Sequence, residues 1–92
     1  MALEITNSLN TFKVTGVLNK TNVKKFQIYF QDIFSTTNEL VINIDELKSI
    51  DREGVSAFEN IYKQSLKAHK PFFITGIGSK EIFDDITTID AA

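Results

Sequence analysis

The chain has 92 residues, enough for one compact core and too few for two, since domains cluster at roughly 100 to 150 residues. Apolar residues make up 42% and charged residues 24%, with four glycines and a single proline, which excludes a disordered, collagenous or low-complexity chain. Cysteine is absent, which excludes disulfides, thiolate zinc sites and cysteine nucleophiles; ten basic against twelve acidic side chains argue against a nucleic-acid binder that works by neutralising phosphates.

The N-terminal MALEITNSLN carries Glu4 and no basic stretch ahead of an apolar run, so no secretory signal is expected and the protein should be cytoplasmic. Leu3 and Ile5 alternate with Glu4 and Thr6. After a polar turn at Asn7 and Ser8, a second alternation sets Phe12, Val14 and Gly16 against Lys13 and Thr15, and the pair predicts a β-hairpin. From Asn22 the spacing becomes helical through Val23, Phe26, Phe30, Ile33 and Phe34, predicting an amphipathic helix of about four turns. Phe26, Phe30 and Phe34 lie four apart on one side of it; they are expected in the core, with a dimer seam as the alternative.

After a polar break at Ser35 to Asn38, Glu39 to Asp45 (ELVINID) is apolar on consecutive positions and predicts a central strand covered on both faces. Beyond Leu47 to Ile50, helical spacing over Asp51 to Ala68 aligns Val55, Phe58, Ile61, Tyr62, Ser65 and Leu66. Asp51 is the natural N-cap, able to accept from the amides of Glu53 and Gly54, and Lys67, His69 and Lys70 suit the negative end of the helix dipole. Pro71 forbids continuation. Phe72 to Thr75 reads as a second buried strand, and Gly76 to Ser79 lead into a short last helix carrying Ile82, Phe83 and Ile86. The expected fold is α/β, a four-stranded mixed β-sheet packed with helices in the order β-β-α-β-α-β-α, with residues 1–92 as a single domain. The longest apolar runs are far below the roughly 18 residues a membrane span needs, so no direct membrane insertion is expected.

Local chemistry is sparse. His69, the only histidine, sits between Ala68 and Lys70 at a helix end and has no partner at metal spacing. Asp45, Glu46, Asp51 and Glu53 gather carboxylates, but an EF-hand loop counted from Asp45 places Ile50 where the glycine belongs and Ser56 where the bidentate Glu belongs. Gly76 and Gly78 precede a helix, yet Glu81 stands where the dinucleotide fingerprint needs its third glycine; Gly16 to Thr21 ends like a phosphate loop with Asn19 in place of its glycine. Turn glycines account for both, and a nucleotide or other small-ligand site at Gly76 to Lys80 stands as an alternative of another class. No metal, cofactor or catalytic constellation is expected. The sequon Asn19-Lys20-Thr21 has no meaning without a secretory signal.

The most informative stretch is Ile50 to Phe58 (IDREGVSAF), a capped helix start after a buried strand, where open α/β sheets usually bind their ligands. TFKVTGVLNKTNVKKF and LVINIDELKSIDREGVSAF together resemble the STAS domain of bacterial anti-sigma-factor antagonists and sulfate-transporter tails, through Gly16, Leu18, Asp51, Gly54 and the patterning of nearly the whole chain. Asn19 replaces the usual Asp of the first loop, and the chain is expected to end early, with the family's final helix missing or rudimentary. In that family the serine directly after the Asp is phosphorylated by a partner kinase that is also the anti-sigma factor. The matching position here is Arg52, followed by Glu53, and neither can accept a phosphoryl group.

The resemblance implies a non-enzymatic protein-protein interaction module for bacterial signal transduction and transcription regulation. It implies a docking surface of Leu18, Asn19, Lys20 and Thr21 with Asp51, Arg52, Glu53, Gly54 and Val55. The implied partner is an anti-sigma factor kinase; the alternative is a transporter ATPase, with the protein as a small accessory subunit of an ABC-type membrane transport complex. Binding is expected to be constitutive unless Ser49 or Ser56 has taken over as phosphoacceptor, and the protein to be a monomer or weak homodimer.

Overall fold

The computed structural model describes residues 2–91, with side chains as far as Thr87. Strands β1 (Glu4–Ser8) and β2 (Thr11–Leu18) form an antiparallel hairpin. Its turn is at Leu9 and Asn10, later than expected, because Asn7 and Ser8 pair with Phe12 and Thr11. These two polar residues belong to a solvated strand, and the turn is marked instead by Leu9 in the left-handed region, φ 57.

Helix α1 (Val23–Phe30) is half the expected length. Asp32 adopts φ 57, and a 3-10 turn over Ile33–Ser35 follows. The chain leaves the helix at Gln31, extended at ψ 137, and the hydroxyls of Ser35 and Thr36 donate to the carbonyls of Asp32 (2.7 Å) and Ile33 (3.2 Å) within the 3-10 turn that follows. The 3-10 turn still returns Phe34 to the core, so Phe26, Phe30 and Phe34 are 0%, 1% and 6% exposed and none is left over for a dimer seam.

Strand β3 (Leu40–Asn43) runs parallel to β2 and is central as expected. It is covered on one face only: Leu40 and Ile42 are buried, whereas Val41 and Asn43 are half-buried. A fifth strand, β4 (Leu47–Ile50), pairs with β2 beyond a register shift at Gly16 and Val17; Leu-Lys-Ser-Ile is too short and too weakly alternating to announce itself. Helix α2 (Arg52–Ala68) ends on His69, exposed and left-handed at φ 57, just before Pro71. Strand β5 (Phe72–Thr75) joins β3 in parallel, completing the order β1-β2-β3-β5. It is an edge strand and not a buried one, with Phe73 48% exposed. Helix α3 (Ser79–Ala91) runs for 13 residues where a short helix was expected.

The core lies between one sheet face and the helices. Val14, Leu18, Leu40 and Ile42 meet Phe26 and Phe58 there at 0% exposure, and the Phe26 ring lies 4.9 Å from that of Phe30 and 5.1 Å from that of Phe58. From α2, Gly54, Ala57, Phe58, Ile61 and Ser65 are buried, while Leu66, expected in the stripe, is 50% exposed. Ile82 and Ile86 bring α3 into the same core. The opposite sheet face carries the registered rows Thr11, Val41, Phe73 and Lys13, Asn43, Thr75, and all six are exposed or half-buried. Among the described residues no helix is long and apolar enough to cross a membrane.

Candidate functional site

The end of β2 and the start of α2 meet through Asp51. Its Oδ1 accepts from the Gly54 amide at 3.0 Å, the expected N-cap bond, and its Oδ2 accepts from the Lys20 amide at 3.0 Å, across 31 residues of sequence. The Asp51 amide donates to the Leu18 carbonyl at 3.1 Å. The Gly54 amide foremost holds the Asp51 carboxyl below its usual range; partial loss of hydration opposes this, and the amides of Lys20 and Glu53 reinforce it. One carboxylate therefore caps a helix and fixes a loop.

The loop is rigid in its own right. Asn19 Oδ1 accepts from the Thr21 amide (3.0 Å) and hydroxyl (2.5 Å); Asn22 Oδ1 accepts from the Asn19 amide (2.9 Å), and Asn22 Nδ2 donates to the Val17 carbonyl (3.0 Å). Asn19, where the family's usual residue is Asp, thus forms a tight polar turn without adding charge. Gly54 explains how closely the helix can approach: a Cβ there would lie 2.6 Å from Ile50 Cγ1, 3.0 Å from Leu18 Cγ and 3.1 Å from the Leu18 carbonyl oxygen.

Of the nine residues expected to dock a partner, Lys20, Thr21, Arg52 and Glu53 are exposed, and Asn19, Asp51 and Val55 are half-buried. Leu18 and Gly54 are buried, so they position the rim and offer no side-chain surface of their own. Arg52 lines a cavity of about 430 Å³ with Val55, Ser56, Glu59 and Asp85, between α2 and α3. Ser56 is thus close to Arg52, whereas Ser49, on β4, lines a separate apolar groove of about 390 Å³ with Leu47, Ile50 and Ile77.

A second aspartate, which the sequence offered only as a member of an acidic cluster, organises the Gly76 loop. Asp45 Oδ1 accepts from the Ile77 amide at 2.7 Å, and Asn43 Oδ1 accepts from the Asp45 amide at 3.1 Å. The Asn43-x-Asp45 spacing is the signal for this Asx-type turn. At Gly76 to Lys80 the Ile77 N–H that a phosphate would need is already engaged, and the carboxylate on it repels an anion. Next to it Lys13 and Glu46 pair at 2.7 Å on the surface; their mutual hydrogen bond and attraction raise the Lys13 pKa and lower that of Glu46.

Comparison with known proteins agrees with this fold. The STAS domain model matches residues 1–83. The anti-sigma factor antagonist SpoIIAA in its unphosphorylated form has a similar structure, with TM-score 0.69 and 12% identity over 98% of this chain and 96% of that one. An uncharacterised protein of the DUF3478 family from Shewanella loihica PV-4, described as having a SpoIIAA-like fold, superposes with TM-score 0.54 and 18% identity over 97% of this chain and 75% of its own. No curated protein sequence matches the chain.

Proposed function

The chain belongs to the STAS domain family, and from that premise we propose that it is a non-enzymatic regulatory module that docks on a protein partner through the rim formed by Lys20, Thr21, Arg52 and Glu53. Asp51 carries this reading, because its two oxygens join the Lys20 loop and the α2 start into one preorganised surface. The partner is of the anti-sigma-factor kinase type, and the setting is bacterial, cytoplasmic signalling upstream of transcription. Position 52 holds a guanidinium where the family's switch needs a hydroxyl, so docking is constitutive.

The test is a pull-down with Lys20→Glu and Arg52→Glu, using Thr75→Glu on the open sheet face as control. The rim variants should lose most of the capture by charge repulsion and the control should keep it. Capture indifferent to both rim charges removes this surface from consideration. Intact-mass analysis after incubation with lysate and ATP tests constancy, and stoichiometric phosphate on Ser49 or Ser56 would overturn it.

A further inference from the structure

Strand β5 has β3 on one side and no strand on the other, among the described residues. Its hydrogen-bond polarity follows from two bonds: the Leu40 amide donates to the Pro71 carbonyl at 3.0 Å, and the Ile44 amide to the Thr75 carbonyl at 2.9 Å. In a parallel ladder residues alternate in the direction they bond. The main-chain groups of Phe73 and Thr75 therefore face β3, and those of Phe72 and Ile74 face outward. The strand contains no charge, proline or bulge, the usual devices that guard an edge. The far edge is guarded: Lys25 Nζ donates to the Leu3 carbonyl just ahead of β1, and β1 itself carries Glu4.

We propose that the free edge of β5 is a homodimerisation edge, on which two copies pair antiparallel about a two-fold axis at Phe73. That axis sets Phe72 of each copy opposite Ile74 of the other, so the outward N–H and C=O groups of both residues are satisfied reciprocally. Phe73 then meets Phe73 of the second copy as a non-hydrogen-bonded pair, with Cα atoms about 4.5 Å apart and side chains at their closest. Both rings lie on the open sheet face, each registered beside Val41 of its own copy, and the pairing extends an apolar row across the axis.

A four-residue edge buries little surface, so the dimer is weak and dependent on concentration.

The absence of cysteine provides a clean test. With Phe73→Cys, two thiols stand across the axis at a separation a disulfide spans. Mild oxidation at high protein concentration should give a covalent dimer, while the Thr75→Cys control, displaced from the axis, stays monomeric. Sedimentation equilibrium of the unmodified chain should show a monomer–dimer equilibrium in the micromolar-to-millimolar range, weakened at least about tenfold by Phe73→Glu, with circular dichroism confirming that the variant is folded. A chain monomeric throughout that range, a Phe73→Cys variant that cross-links no faster than Thr75→Cys, or a dimer untouched by Phe73→Glu overturns the proposal.

Discussion

Asp51 and Asp45 both lie just beyond a strand at the same end of the sheet, and each holds a distant segment through a backbone amide. Asp51 spends its two oxygens on two different segments, the Lys20 loop and the first turn of α2. Asp45 uses Oδ1 on the Gly76 loop alone, and its Oδ2 accepts only a long bond from the Asn43 side-chain Nδ2 at 3.5 Å, two residues away in sequence. A carboxylate that bridges two segments converts them into one surface, and a carboxylate that holds one loop only closes a turn. This difference is what supports the proposal of a docking rim at Asp51. It also accounts for the Gly76 loop being a structural corner, despite glycines that superficially suit a phosphate.

The comparison can be broken most severely at the glycines. Gly76 has φ 103, and a Cβ there would lie 2.8 Å from both the Asp45 amide nitrogen and Oδ1. Gly76→Ala combines backbone strain with a clash against main chain, so a loss of roughly 2 to 4 kcal/mol is expected in urea unfolding. A loss below about 1 kcal/mol would mean that the corner yields and that Asp45 does not hold it. Gly54→Ala has two opposed terms: helix propensity gains about 1 kcal/mol, and the new methyl meets Ile50 Cγ1 and the Leu18 main chain. Leu18 cannot retreat without breaking its bond from the Asp51 amide, so a net destabilisation of about 1 kcal/mol is expected, together with weaker docking. A net gain in stability would contradict close packing at the rim.

Amide replacement sharpens the contrast further. In Asp51→Asn the side-chain oxygen can still cap Gly54, but the new NH2 group cannot accept from the Lys20 amide. Hydrogen exchange at Lys20 should therefore accelerate while Gly54 stays protected. In Asp45→Asn the one oxygen that matters can still face the Ile77 amide, so Ile77 should remain protected and stability should change less. Equal acceleration at Lys20 and Ile77 would erase the distinction between the two aspartates.

Much of this was legible because it is local. The N-cap at Asp51, the stop at Pro71 and the two-residue alternation of β2 depend on neighbours in sequence and were found. Non-local features were not. The Phe26, Phe30, Phe34 spacing suits one long helix, yet the backbone leaves the helix at Gln31, extended at ψ 137, and Asp32, left-handed at φ 57, and the 3-10 turn buries Phe34 by another route. An apolar run such as Phe72 to Ile74 reports hydrophobicity and not its neighbours, so an edge strand looked buried. At the site, Leu18 and Gly54 were chosen with their neighbours because they carry the family pattern, and the structure gives them positioning roles inside the rim.

The finest test is the pH dependence of the Asp51 bridge. Its carboxyl lies below the ordinary value of 3.8 in the folded chain, chiefly through the Gly54 amide, so folding favours the ionised form. The stability this supplies is fully present above the unfolded value and is lost as pH falls through the folded one. Glu46 behaves in the same sense through Lys13, with 4.5 as its ordinary value, and its titration overlaps. Glu46→Gln therefore serves as the background, and Asp51→Asn is compared within it. At neutral pH the pair should differ in thermal midpoint, with the Asp51 protein the more stable; as pH falls below the ordinary value of 3.8 the gap should close, because a protonated Asp51 can hold its two amides no better than a neutral amide holds one. A gap that stays constant through that fall would show that the bridge is held by shape and not by the charge of the carboxylate.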